Sequence, residues 1–265
     1  MALYALEGWL DRLSVSQWNG DLVLKGGVLL AAYNARRPTR DVDLQAQAMT
    51  NDEPTILAMV QRIAAIPRDD GLHYNHAFAT AETIRDDDQY SGVRVTMSCQ
   101  LATARLRFHV DVNVGDPVWP AAAEVELPRL LGGTITVRGY PLSMVHAEKI
   151  VTAVERGTAS TRWRDYADLY LLSRQHDADG NELQGSLAHV AEHRDAQLTT
   201  LTEALQGYAA LGQDRWAAWV RKQRLTDRLP NRFADVLEAV ALFADTPLTG
   251  RANDRTWRAS TQSWS

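Results

Sequence analysis

The sequence predicts an α/β (α+β) lobe over residues 1–140 followed by a helical lobe over 141–265, and three observations carry that reading. Two period-two runs lie back to back between residues 93 and 114, a D-x-D strand follows a glycine turn between residues 25 and 43, and helical spacing governs the chain after Pro141. At 265 residues with 45% hydrophobic content, the chain can bury a core in one large or two modest domains. Its one cysteine, Cys99, excludes an internal disulfide and a multi-cysteine zinc site, fits a reducing cytoplasm and is expected in the core. The first residues carry Glu7 and Asp11 with neither a basic leader nor a long apolar run, so neither export nor membrane insertion is expected. A net charge of −5 gives no global signature of nucleic-acid binding and points to a local basic patch if there is one. Of 28 basic residues only Lys25, Lys149 and Lys222 are lysine. Against that arginine-rich background, a compact ammonium on a flexible stem suits a phosphate.

Taken in order, Leu3, Leu6, Trp9, Leu10 and Leu13 predict an amphipathic helix over 2–17, packed on the sheet. Leu22-Val23-Leu24 reads as a short buried strand and Gly26-Gly27 as a turn. A short apolar helix over 28–34 would follow, its N-terminus offering backbone N–H groups to a phosphate. Arg36-Arg37-Pro38-Thr39-Arg40 forms a basic loop, 41–46 a strand, and 53–65 a helix ended near Pro67. From 93 to 101 the odd positions are Val93, Val95, Met97, Cys99 and Leu101 while the even ones are polar. The pattern resumes with Leu106, Phe108, Val110, Val112 and Val114 facing one way and Arg105, Arg107, His109, Asp111 and Asn113 the other. The pair reads as a hairpin with Asp111 on its polar face. Residues 115–139 read as irregular chain with one or two short strands, one over 134–138. Helices are expected over 144–156, 163–174, 182–192, 198–210, 214–222 and 232–243, with a frayed polar tail after Pro247.

Alternate residues of a strand face the same way, so Asp41 and Asp43 point together while Val42 and Leu44 enter the core. Such a pair can hold a hard cation. Magnesium takes a few carboxylate oxygens plus water and phosphate, and two ions about 4 Å apart can clamp the attacking and leaving oxygens of a phosphoryl displacement. Asp111 would be the third carboxylate of that arrangement. Lys25, Gly26 and Gly27 would meet the phosphates. A second group comprises Glu148-Lys149 and Arg162 through Asp168, where Asp165 and Asp168 are neighbours on one helical face. It reads either as ordinary ion pairing or as Lys149 serving the triphosphate with Asp165 or Asp168 positioning it.

Together, Lys25-Gly26-Gly27, Arg37-x-Thr39-x-Asp41-x-Asp43, the Asp111 strand, Glu148-Lys149 and Arg162-x-Arg164-Asp165-x-x-Asp168 resemble the motif series of the AbiEii/AbiGii-type nucleotidyltransferase toxins, the mycobacterial MenT group in particular. The resemblance spans about residues 21 to 172. It implies a polymerase-β-like nucleotidyltransferase lobe with a mixed sheet, and a helical lobe that completes the nucleotide site. It further implies magnesium in a two-metal site, a nucleoside triphosphate substrate and a cognate antitoxin. Some members add nucleotides, often pyrimidines, to the tRNA 3′ end and so block translation. By position, Gly26 and Gly27 would hold phosphates, Asp41 and Asp43 metal, and Lys149 the triphosphate, with Asp168 the leading essential partner and Asp165 next. One departure is Gly27, where many relatives of the wider fold carry serine.

For the RNA, Arg36, Arg37 and Arg40 lie beside the acidic strand, and Arg215, Arg221, Lys222, Arg224, Arg228 and Arg232 lie near Trp216 and Trp219, themselves read as core. His109 reads as a structural histidine. Thr39, two residues before Asp41, is a candidate phosphorylation switch, since a phosphate adds close to two negative charges beside the acids. Two other functions fit the same residues: nucleotidylation of a protein or small-molecule hydroxyl, and a catalytically silent partner-binding protein.

Overall fold

The computed structural model describes residues 1–47, 49–86 and 90–265, leaving aside the side chains of 85, 86, 90 and 91. These form two units, 1–116 with 121–140, and 117–120 with 141–265. In chain order the first unit runs α1 (Ala2–Ser14), β1 (Leu22–Lys25), α2 (Gly26–Leu29), β2 (Asp41–Ala46), α3 (Glu53–Ala64), β3 (Leu72–Tyr74), a 3-10 turn (His76–Phe78), β4 (Thr80–Asp86), β5 (Tyr90–Leu101), β6 (Ala104–Val114), β7 (Ala123–Pro128) and β8 (Thr134–Gly139).

The period-two runs form the β5–β6 hairpin, with Leu101 opposite Ala104 across a two-residue turn. Val93, Val95, Met97, Cys99, Phe108, Val110 and Val112 supply its buried face. Sheet order is β3-β5-β6-β2-β1-β8-β7, with β4 also paired to β5. It is a mixed sheet, because β2 runs parallel to β6 and β1 parallel to β8, while the other pairs are antiparallel.

Helix α1 buries Ala5, Leu6, Trp9, Leu10 and Leu13, and it also buries the charged Glu7 and Arg12. Arg12 forks Asp70 at 2.5 and 3.1 Å and donates to the carbonyls of Gly8 and Ile66. Burial opposes the Asp70 charge, yet the Arg12 hydrogen bond prevails and holds that carboxyl below its ordinary value. The helix ends at Ser14, earlier than expected. The helix expected over 28–34 is also shorter. Only α2 is α-helical, and the chain beyond it winds through i→i+3 turns until Asn34, at φ +56°, lets the Ala35 amide return to the Leu30 carbonyl.

The second unit comprises α4 (Leu142–Arg156), a 3-10 turn (Gly157–Ala159), α5 (Trp163–Gln175), β9 (Ala178–Asp179), α6 (Gly180–Arg194), α7 (Leu201–Ala204), α8 (Tyr208–Gln223), α9 (Phe233–Leu248), β10 (Thr256–Arg258) and β11 (Ser263–Trp264). The helices expected over 198–210 and 214–222 are redivided. A Thr200–Glu203 capping box starts the one-turn α7, Gly207 at φ +80° breaks the chain, and α8 runs unbroken from Tyr208. Trp216 is fully buried, its ring stacked on Phe233 and its N–H bonded to the Pro230 carbonyl at 3.0 Å.

The tail after Pro247, expected to fray, is instead folded. β10 pairs with β9 and β11, and the indole N–H groups of Trp257 and Trp264 donate to the carbonyls of Ser173 and Phe243 at 2.6 and 3.0 Å. Both rings pack on Phe243. Apolar faces and satisfied N–H ends outweigh the polar residues between them, since burying one such ring is worth about 3–5 kcal/mol.

His146 is fully buried edge-on against Phe243, and neither ring nitrogen has a hydrogen-bond partner among the described residues. Burial first, then the charges of His176 and Lys149, lower its pKa to about 3. An unfolded chain takes up that proton near pH 6.5, whereas the folded one refuses it until about pH 3. This contribution to stability is therefore complete above about pH 6.5 and is lost progressively below it, by up to about 1.4 kcal/mol per pH unit. The urea midpoint, followed by tryptophan fluorescence, is expected to fall from pH 7 to pH 4, and His146→Leu is expected to flatten part of that fall.

Candidate active site

The acids meet on the sheet because of how β2 lies against β6. Their parallel register sets Asp43 opposite Asp111 and Asp41 opposite His109. Asp43 also faces Lys25 on β1, and Asp111 faces Arg94 on β5, which in turn faces Glu82 on β4. Register partners share a face of the sheet. One row of side chains therefore crosses five strands as Glu82, Arg94, Asp111, Asp43 and Lys25. Charge alternates along it except at the centre, where two carboxylates adjoin.

The consequences differ for the two acids. Asp43 is partly buried, and its carboxyl is pushed up to about 6, chiefly by lost hydration and then by Asp111, with Asp41 adding to the rise and Lys25 opposing it. Asp111 is buried, and Arg94 forks it, Nε to Oδ1 at 2.8 Å and Nη2 to Oδ2 at 2.6 Å. The expected third carboxylate thus already has a cationic partner. His109 shares a 2.9 Å hydrogen bond with Thr96, as a structural histidine would.

The glycine turn is shaped by the same acid. Gly26 has φ +66°, and a Cβ there would lie 1.9 Å from Asp43 Oδ2. The Gly27 amide lies 3.4 Å from that oxygen, and a Cβ on Gly27 would press on Arg37 Nη1 and Thr39 Oγ1 at 2.9 and 3.1 Å. Only glycine lets the turn approach Asp43 on one side and the basic loop on the other. Lys25 pairs with Asp116 at 2.7 Å and lies 5.5 Å from the Tyr140 ring centroid.

Donor chemistry decides what cation this face accepts. Asp41 and Asp43 present hard oxygens, and the raised Asp43 carboxyl reflects lost hydration first and the neighbouring carboxylates second, both of which a divalent ion would offset. Two carboxylates on one face are a donor set that could hold one such ion together with water and phosphate oxygens. Asp111, expected as the third carboxylate, has each oxygen already accepting from Arg94, so a second ion there would share those oxygens with a guanidinium. Among the described residues no three histidine, cysteine, aspartate or glutamate side chains form a group that could hold a metal ion.

In the second unit, Lys149 on α4 is held by two carboxylates of α5, Asp165 at 2.7 Å and Asp168 at 2.9 Å. Asp168 is the more deeply buried of the two, and Arg162 lies 4.0 Å from Asp165. The i, i+3 spacing on α5 places both acids on one face, so a flexible lysine stem is fixed from two sides.

The basic candidates divide. Arg36 is tied to the buried Glu7 at 2.5 Å and donates to the Pro128 carbonyl, and Arg37 packs over Gly27. Arg40, Arg221, Lys222 and Arg224 are exposed. Thr39 is half-buried, its hydroxyl 3.4 Å from the Asp41 carbonyl. Arg94 and Glu7 escaped the sequence reading. A two-residue turn fixes the hairpin register and would have placed Arg94 opposite Asp111, whereas nothing in the sequence separates Glu7 from a solvated helical acid.

Residues 9–239 match the family described as nucleotidyl transferase AbiEii toxin, type IV TA system. The fold resembles the crystal structure of JHP933 from Helicobacter pylori, at TM-score 0.50 and 16% identity over 95% of this chain and 91% of that one. A candidate nucleotidyltransferase from H. pylori gives TM-score 0.48 and 16% identity over 95% and 93% of the two chains. No curated protein matches the chain in sequence. JHP933 supports the fold, a mixed-sheet lobe of the polymerase-β-like kind, and the family match covers most of the sequence. The chain belongs to the AbiEii family of nucleotidyl transferase toxins of type IV toxin-antitoxin systems.

Proposed function

We propose that this toxin transfers a nucleotidyl group, a pyrimidine by preference, from a nucleoside triphosphate to the 3′-hydroxyl at the acceptor end of tRNA and thereby blocks translation, with a cognate antitoxin to restrain it. The observation that supports this most is the meeting of Asp41, Asp43 and Asp111 on one sheet face beside the Gly26-Gly27 turn, in a chain of a nucleotidyltransferase family. In the reaction the 3′-oxygen bonds to the α-phosphorus, the α–β anhydride bond breaks, the hydroxyl proton is lost and pyrophosphate leaves.

Asp41 and Asp43 would hold a magnesium ion, which when bound supplies Lewis-acid stabilisation of the reacting oxygens. The protein's own part is positioning and charge balance. Asp43 ionises near pH 6, so it is mainly anionic at neutral pH. Lys149, fixed by Asp165 and Asp168, is assigned to the triphosphate and its departing pyrophosphate. Lys25, Gly26 and Gly27 would line the phosphate path. For RNA, the exposed Arg40 lies next to Asp41, and Arg221, Lys222 and Arg224 are exposed at the C-terminal end of α8. A phosphate on Thr39 would set about two negative charges beside Asp41 and oppose triphosphate entry.

Labelled nucleoside triphosphates incubated with total RNA, total protein and small hydroxyl acceptors are expected to label the tRNA 3′ end. Asp43→Asn and Lys149→Ala are each expected to lower incorporation by about 100-fold or more. Label in protein or in a small acceptor would change the acceptor, and full incorporation by Asp43→Asn would refute the site. Affinity for tRNA is expected to fall steeply with salt, and Arg221→Ala, Lys222→Ala and Arg224→Ala together should flatten that dependence by up to about two or three units of slope. Thr39→Glu should suppress incorporation while Thr39→Ala retains it, and a Thr39→Ala protein still restrained wherever the native one is silenced would eliminate the switch.

A further inference from the structure

We propose that Arg94, in place of a second divalent ion, balances Asp111, so that the site works with one metal on Asp41 and Asp43 while Asp111 acts as the anchor of Arg94. This rests on the metal-dependent reading above and revises the three-carboxylate arrangement expected from the sequence.

The geometry carries the assignment. A planar guanidinium meets Asp111 side-on through two parallel bonds of 2.8 and 2.6 Å, each oxygen taking one donor. The Asp111 side chain is only 10% exposed, against 34% for Arg94, so the carboxylate has little open surface from which to accept another ligand. Arg94 has a further acid beside it in the row. Glu82 faces it across β4 and β5, and the charges of Asp111, Asp41 and Glu82 all stabilise its protonated form. A divalent ion seated on Asp111 would have to use the remaining lone pairs of oxygens that already accept from Arg94, and it would stand beside a guanidinium that cannot discharge, because arginine stays protonated at any working pH.

Charge accounting agrees. In the row Glu82, Arg94, Asp111, Asp43 and Lys25, Arg94 answers Asp111, while Lys25 is shared between Asp43 and Asp116. The negative charge left over therefore gathers on Asp43 and Asp41, two residues apart on the same face. The fork uses Nε and Nη2 of Arg94. Its Nη1 makes no hydrogen bond among the described residues. Arg94 is thus a positioning and charge-balancing residue held in place by Asp111.

Manganese alone, titrated into the full chain and followed by calorimetry and by its electron paramagnetic resonance signal, tests this without reference to turnover. One ion per chain is expected for the native protein, with at least tenfold weaker binding in Asp43→Asn and a change of no more than about twofold in the double variant Asp111→Asn/Arg94→Gln, which removes the pair as a unit. Arg94→Gln alone should uncover Asp111 and raise the stoichiometry to two. Two ions in the native protein, one of them lost in the double variant, would overturn the inference while leaving the proposed function standing. No ion in the native protein would overturn both. Thermal unfolding by circular dichroism shows whether each variant is folded. Nucleotide incorporation nearer to native in the double variant than in Asp111→Asn alone would support Asp111 as an anchor, and equal loss in the two would count against it.

Discussion

The structure turns on a repulsion. Parallel pairing of β2 with β6 sets Asp43 directly opposite Asp111, and two like charges about 5 Å apart cost about 3 kcal/mol at an effective dielectric of about 20. An arrangement that unfavourable persists only where cations stand close by. Lys25 and Arg94 flank the pair from the next strand on either side, so the register of four strands, rather than any one residue, holds the acids together. The hairpin alternation, the glycine turn and the basic loop are all organised around that row.

Much of this frame could be read from residues alone, for reasons that are local. Strict alternation from Val93 to Val114 leaves one face able to enter a core, and the hairpin follows. Helix spacing in the second half is equally direct, although Gly207 divides the chain in a way that periodicity does not show. Features that escaped depend on contacts distant in sequence. Arg12 with Asp70 and Glu7 with Arg36 bury charges on a helix whose pattern allowed them to be solvated. Trp257 and Trp264 sit among polar residues and gain their place only from carbonyls at the ends of α5 and of the α9 region. At the candidate site, the acids and the lysine clasp were visible as residue types at given spacings, whereas the partner of Asp111 was a matter of register.

The two units solve the same problem in different ways. In the first, cations are fixed across a sheet, where each strand contributes one charge to a row. In the second, Lys149 is fixed between helices by two acids one turn apart. Both devices remove rotational freedom from charged side chains.

Gly26 and Asp43 form a single steric unit, since a methyl group at position 26 would occupy the space of a carboxylate oxygen. Neither position can drift alone. A homologue that abandoned the acid would be released to accept alanine or serine in the turn, subject to its left-handed backbone, whereas one that kept the acid would have to keep the glycine. Covariation of these two positions would therefore show, from sequence alone, in which lineages this close contact between turn and acid has been kept.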